Sequence, residues 1–204
     1  MVRVVSPDME GLVAASKVVA DGGVIGYPTD TVYGLGCNPL NLQAVKRVIR
    51  LKGERSKPLP VLVGTLHDAQ QIVDFSEEAL KIAAKFWPGP LTIVLKAKRP
   101  IPSVMAPQGT IGVRSPKHSI CLNLLMMCSG TLVGTSANKT GHAPATTTKG
   151  IIQEFGDELD LVVDGGRTTF GLPSTVIDLS KNFLLLREGP VSREALLKCL
   201  RDSE

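Results

Sequence analysis

An α/β fold built on a mixed β-sheet is the architecture this sequence predicts, and three observations carry the prediction. Short apolar runs alternate with amphipathic stretches along the whole chain, the pattern of strands separated by helices. Glycine and proline punctuate the junctions between them. The 204 residues, 43% hydrophobic and 21% charged, suffice to bury one core of ordinary size. Neither a repeat, a low-complexity tract nor a linker interrupts the pattern, so one domain over residues 1–204 is expected.

Taken in order, residues 8–20 carry Leu12, Val13, Val18 and Val19 as an apolar stripe, giving an amphipathic helix closed by Gly22 and Gly23. A buried strand follows over 23–27. Residues 42–52 form a helix with Leu42, Val45, Val48 and Ile49 on one face and Lys46, Arg47 and Arg50 on the other. The apolar run 58–64 reads as a strand, its prolines placing it at a sheet edge or at a strand start. Ser76 is the expected N-cap of a helix whose first turn holds Glu77 and Glu78, where the helix dipole favours negative charge. Strands over 91–98, 110–114, 130–135, 159–166, 174–180 and 182–188, and helices over 118–127, 147–155 and 192–200, complete the alternation.

Composition excludes several function classes. Aromatic residues make up only 4%, too few for serial base stacking on exposed rings. The net charge of +4 suits an anionic ligand such as a nucleotide but is too small to indicate nucleic-acid binding. Cys37, Cys121, Cys128 and Cys199 are widely spaced and form no CxxC pair, so they read as reduced, buried thiols rather than zinc ligands or a disulfide framework. The first residues lack a long apolar stretch and no eighteen-residue apolar run occurs, which points to a cytoplasmic protein without a membrane segment.

Two familiar phosphate signatures fail. GTSANKT at 134–140 lacks the glycine required before the lysine of a P-loop, and GLG at 34–36 lacks the third glycine and the following helix of a dinucleotide fingerprint. Other features suit a site better. GYPTDTVYGLG at 26–36 places polar side chains between a strand and a glycine pair. Lys52, Arg55 and Lys57 precede an apolar strand and offer charge to a polyphosphate, against the alternative of a solvated basic run. Arg114 ends the otherwise apolar TIGVR, where a guanidinium requires an anion, either a ligand carboxylate or an internal aspartate. In GTSAN, small residues permit close backbone approach while Ser136 and Asn138 supply directional polar groups. Ser174 enters a strand after Gly165, Gly166 and Pro173, and Arg187 ends another beside a glycine-proline turn. His67, His118 and His142 are scattered, which fits structural or surface roles.

Together, YPTDTVYGLG, KGERSKPLPVLV, WPGPLTIVL, TIGVRSP, GTSANKTG, DGGRTTFGLPSTVID and LLREGP resemble the YrdC/Sua5/TsaC family. These motifs run in family order over residues 27–190. The family comprises threonylcarbamoyl-AMP synthases that begin synthesis of the tRNA base t6A. The resemblance implies a twisted α/β sheet around a concave basic cavity, and a reaction that joins L-threonine, bicarbonate and ATP into threonylcarbamoyl-AMP with release of pyrophosphate. It assigns Thr31, Leu62, Arg114, Gly134 and Ser174 to threonine. Lys52, Arg55, Lys57, Thr110, Ser136 and Arg187 fall to ATP, with Asn138 supporting them, and Lys52 and Arg55 to catalysis as well.

Displacement at the α-phosphorus is mostly positioning and charge neutralisation, so magnesium, carried mainly by ATP and water rather than by protein side chains, is the expected cofactor. The resemblance adds tRNA contact and a downstream threonylcarbamoyl transferase complex as partners. Glu54 stands where many members carry the arginine of the KxR motif, with Arg55 one place later, and Pro144 stands where a related member has serine. Without the extra C-terminal domain of the Sua5 type, the chain resembles the short form. Two rival readings are an RNA-binding module of the same fold and HypF-like carbamoyl-adenylate chemistry.

Overall fold

The computed structural model describes residues 1–53, 58–98, 101–106 and 108–201. The chain is α/β, as expected, but its strands divide between two mixed sheets instead of forming one. The first runs in the order β1 (Arg3–Val5), β10 (Leu161–Val163), β2 (Ile25–Tyr27), β3 (Gly34–Gly36), β9 (Thr135–Ser136). The first three are mutually parallel, and β3 is antiparallel to both of its neighbours. The second runs β12 (Leu184–Arg187), β11 (Thr175–Asp178), β6 (Leu91–Ala97), β7 (Thr110–Arg114), β4 (Val61–Val63), β8 (Thr131–Val133), with β5 (Val73–Asp74) added to β6. Here β11 is parallel to β6 and β4 to β7, while the other pairs are antiparallel.

Helices form where the periodicity and caps place them. These are α1 (Met9–Ala20), α2 (Leu42–Lys52), α3 (Leu66–Ile72), α4 (Glu77–Phe86), α5 (Ser119–Met127), α6 (Thr148–Phe155) and α7 (Arg193–Arg201). Ser76 caps α4 by accepting from Ala79 N at 3.2 Å, and Asn41 caps α2 by accepting from Gln43 N and Ala44 N. Helix α3 is absent from the sequence reading because it is a short helix without a full apolar stripe. It is held by a capping box in which Thr65 and Asp68 bond reciprocally.

Three local outcomes go beyond the sequence reading. Of the two readings of the prolines before β4, the strand start holds, since β4 lies inside the sheet between β7 and β8. The run 130–135 is not one strand: it changes sheets at Gly134, whose N–H donates to Pro60 O at 2.8 Å. A side chain there would place its Cβ 2.4 Å from Leu62 Cγ, so only glycine lets the two sheets meet.

The third is GLG, a loop by propensity and a strand in fact. Tyr27 is fully buried and lies against both glycines, with a Cβ on Gly36 falling 2.5 Å from the ring and one on Gly34 falling 2.9 Å from it. The Tyr27 hydroxyl donates to Val133 O at 2.9 Å and so ties the first sheet to β8. The glycines leave the space that this ring fills. Gly36→Ala is therefore expected to destabilise the protein by roughly 1–3 kcal/mol through overpacking, measured by urea denaturation; an unchanged midpoint would contradict it.

All four cysteines are free, and Cys37, Cys121 and Cys199 are buried. Burial pushes the Cys37 thiol up to about 12 and Cys128 up to about 11, which suits inert packing rather than nucleophilic chemistry. Among the described residues, no helix is long and apolar enough to cross a membrane.

Candidate active site

The second sheet supplies the floor of the site by simple alternation. Thr92 and Val94 on β6, Thr110, Gly112 and Arg114 on β7, and Val176 and Asp178 on β11 all face one cavity of about 680 Å³. Its other walls are the 27–34 segment, Pro58 to Leu62, and the stretch from Gly134 to Gly141. Thr31, Lys52, Leu62, Thr110, Arg114, Gly134, Ser136, Asn138, Ser174 and Arg187, the sequence-assigned positions that are described, all line it. Arg55 and Lys57 lie outside the described residues. Thr92 and Asp178 also line it; the period-2 pattern around Val94 and Ser174 held that signal.

Arg114 is held by three hydrogen bonds. Its Nε donates to Gly89 O at 2.9 Å, Nη1 to Thr31 Oγ1 at 2.8 Å, and Nη2 to Asp30 Oδ1. Arg114 is 5% exposed and Asp30 2%, so the pair is buried. The internal aspartate left open by the sequence is present, although the guanidinium also faces the cavity. Asp30 Oδ2 is buried with no hydrogen-bond partner among the described residues.

The PTDT segment is built to hold this arrangement. Thr29 Oγ1 accepts from Thr31 N at 3.1 Å and lies 2.7 Å from Val32 O, to which it donates. Thr31 Oγ1 lies 3.0 Å from Thr29 Oγ1. The protons then run one way: Arg114 Nη1 to Thr31, Thr31 to Thr29, Thr29 to Val32 O. Thr31 keeps one lone pair for a ligand donor. Tyr33 works elsewhere, its hydroxyl donating to Gly166 O at 2.9 Å and accepting from Gly165 N at 3.0 Å, which fastens the 165–166 turn.

On the opposite wall, Arg187 Nε donates to Ser174 O at 2.9 Å and Nη2 to Ser174 Oγ at 3.3 Å, while Ser174 Oγ lies 2.8 Å from Thr92 Oγ1. Burial lowers the pKa of Arg187, and the positive charge of Arg114 lowers it further. The two guanidinium groups thus repel each other across the cavity, and an anion seated between them would relieve that repulsion.

Lys52 lines the cavity and also holds one of its walls. Its ammonium donates to Ser136 O at 2.6 Å, Asn138 O at 2.6 Å and Asn138 Oδ1 at 3.2 Å. It therefore tethers the SAN turn, which Ser136 Oγ closes by donating to Asn138 Oδ1 at 2.6 Å. Glu154 on α6 secures the far end of the turn by accepting from Lys139 N and pairing with His142, each at 2.8 Å.

The family model described as "Telomere recombination", that of the Sua5, YciO and YrdC proteins, matches residues 17–189. The chain belongs to this family. It is 35% identical over 190 residues to the threonylcarbamoyl-AMP synthase of Pyrococcus abyssi, covering 91% of this chain and 56% of that protein. It is 39% identical over 167 residues to the threonylcarbamoyl-AMP synthase of Thiobacillus denitrificans, covering 80% and 88% respectively. The chain thus spans about half the length of the archaeal relative and most of the bacterial one. Among solved structures, P. abyssi Sua5 complexed with L-threonine superposes with a TM-score of 0.91 at 33% identity, over 98% of this chain and 60% of that one. Escherichia coli YciO gives a TM-score of 0.85 at 26% identity, over 96% and 98%. Full-length HypF, at 18% identity and a TM-score of 0.76, shares the fold.

Proposed function

We propose that this protein is an L-threonylcarbamoyladenylate synthase, a nucleotidyltransferase that forms threonylcarbamoyl-AMP and pyrophosphate from L-threonine, bicarbonate and ATP for t6A37 formation in tRNA. The observation that carries the reading is the single cavity in which Arg114, Thr31, Ser174 and Arg187 converge. Its volume of about 680 Å³ lies within the range of small-molecule sites, roughly 300–1,000 Å³. In this reading the Arg114 guanidinium receives the threonine carboxylate, and Thr31 accepts a hydrogen bond from its amine or hydroxyl. Leu62, 3% exposed and packed against Gly134, bounds the amino-acid end with apolar surface.

The amine adds to carbon dioxide derived from bicarbonate, losing a proton and giving a carbamate. A carbamate oxygen then attacks the α-phosphorus of ATP, and the bond to the β-phosphate oxygen breaks to release pyrophosphate. The protein contributes position and charge: Arg187, assigned to ATP by resemblance, also donates to Ser174 of the threonine set, and the Lys52-tethered turn presents Ser136 and Asn138 to the nucleotide. Arg55 and Lys57 are assigned to the phosphates by resemblance to the family. Magnesium is assigned to the nucleotide, where it neutralises phosphate charge. Among the described residues no group of three or more metal-ligating side chains assembles, and an ion carried by phosphates and water requires none. The activated carbamate is then consumed by a transferase acting on tRNA. Four free cysteines agree with a reducing, cytoplasmic location.

The test is pyrophosphate release by purified protein. Release should require ATP, threonine and bicarbonate together. Equal release without threonine would reject the substrate assignment. Salt-sensitive tRNA binding with no threonine-dependent release would favour an RNA-binding module, and support by carbamoyl phosphate in their place would favour HypF-like chemistry.

A further inference from the structure

Asp178 is the one carboxylate among the described residues lining a cavity that also holds Lys52, Arg114 and Arg187. It is the last residue of β11 and projects from the same face as Ser174 and Val176. One of its oxygens, Oδ1, accepts from Ser180 N at 2.8 Å; the side chain is half-buried, so the other is available to the cavity. A carboxylate only accepts hydrogen bonds and repels phosphate, so it does not belong beside a triphosphate. It suits a neutral part of the ligand that carries donors.

The sheet register places it relative to the anion-binding end. Asp178 pairs with Val94 and Val94 with Gly112, one two-residue step from Arg114. With about 3.3 Å per residue along a strand and about 4.8 Å between strands, the two backbone positions lie roughly 12 Å apart. In threonylcarbamoyl-AMP, ten bonds separate the threonine carboxyl carbon from a ribose hydroxyl oxygen. At about 1.2 Å of extension per bond, that span is also roughly 12 Å.

We infer that Asp178 is a specificity-determining residue that accepts hydrogen bonds from the ribose 2′- and 3′-hydroxyls of the nucleotide. This rests on the synthase reading for the identity of the ligand. The vicinal diol offers two adjacent O–H donors, which match the acceptor-only carboxylate and mark a ribonucleotide against a deoxyribonucleotide.

The experiment compares ATP, 2′-deoxyATP, 3′-deoxyATP and purine riboside triphosphate, the last lacking the 6-amino group. Affinity by calorimetry and threonine-dependent pyrophosphate release are measured on the wild type, Asp178→Asn and Asp178→Ala. Asparagine retains an oxygen to accept from Ser180 N, so it separates the turn from the ligand contact. The wild type should prefer ATP over both deoxy analogues by roughly 10- to 100-fold, the worth of a charged hydrogen bond. Asp178→Ala should reduce that preference to within about threefold, mainly by weakening ATP, with Asp178→Asn intermediate.

A variant that keeps the full preference, or a wild type that shows none, overturns the inference. So does a loss seen with purine riboside triphosphate alone, which would assign Asp178 to the base, or an altered magnesium dependence with unchanged preference, which would assign it to the metal. If wild-type protein binds the nucleotides but releases no threonine-dependent pyrophosphate, the synthase reading fails. The calorimetric comparison then still decides the role of Asp178.

Discussion

Arg114→Lys is expected to lower threonine affinity and stability together. Lysine keeps the positive charge but loses the planar fork that donates at once to Gly89 O, Thr31 Oγ1 and Asp30 Oδ1. Threonine binding should weaken by roughly 1.5–3 kcal/mol, the worth of a charge-assisted hydrogen bond. Nucleotide binding should change much less. Stability should fall by about 1–3 kcal/mol because buried acceptors lose their donor. Asp30→Ala provides the complementary measurement. It leaves a 5%-exposed guanidinium without its counter-ion, which should cost about 3–5 kcal/mol in unfolding free energy. Threonine titrations and denaturation curves on both variants separate the roles. Unaltered threonine affinity in a folded Arg114→Lys protein would remove Arg114 from the ligand site, and an Asp30→Ala protein as stable as wild type would contradict the buried pair.

Lys52→Met is expected to loosen the nucleotide side of the cavity by destabilising the turn that forms it. Methionine retains much of the apolar stem, but Ser136 O, Asn138 O and Asn138 Oδ1 lose their charged donor. A loss of roughly 2–4 kcal/mol in stability follows from such bonds. A weaker affinity for ATP should accompany it, with threonine affinity reduced less. The alternative, a lysine that contacts phosphate directly, predicts reduced ATP affinity at unchanged stability. Thermal denaturation of the ligand-free variant distinguishes the two, since a direct phosphate contact adds nothing to a protein without nucleotide.

Much of this site was legible in the linear order of the residues. Arg114 at the end of the apolar TIGVR stood out as a guanidinium in need of an anion, and the seven motifs in family order assigned it and Thr110 to ligand binding. The helices from 42 and 77 were equally legible, because an apolar stripe and an N-cap are local features. The strand at 34–36 was not legible, since glycine has low β-propensity and only the buried Tyr27 ring explains the pair. Nor was the split of 130–135 between two sheets, which depends on Leu62 packing against Gly134.

The sequence by itself determined the α/β alternation, the identity of the polar residues and the family to which they belong. These depend on spacing, capping and residue type, all short-range properties of a chain. Only the tertiary structure decided what those polar groups do to one another. It joined Arg114 to Asp30 and Thr31, 84 and 83 residues away, and gave Lys52 hydrogen bonds to Ser136 and Asn138 in the wall of the cavity. It also set Asp178 on the cavity floor. The physical reason is that a charged side chain carries several hydrogen-bonding groups, and burial obliges each to find a partner. Which partner is near depends on how two sheets meet, and that distance is written in no single stretch of residues.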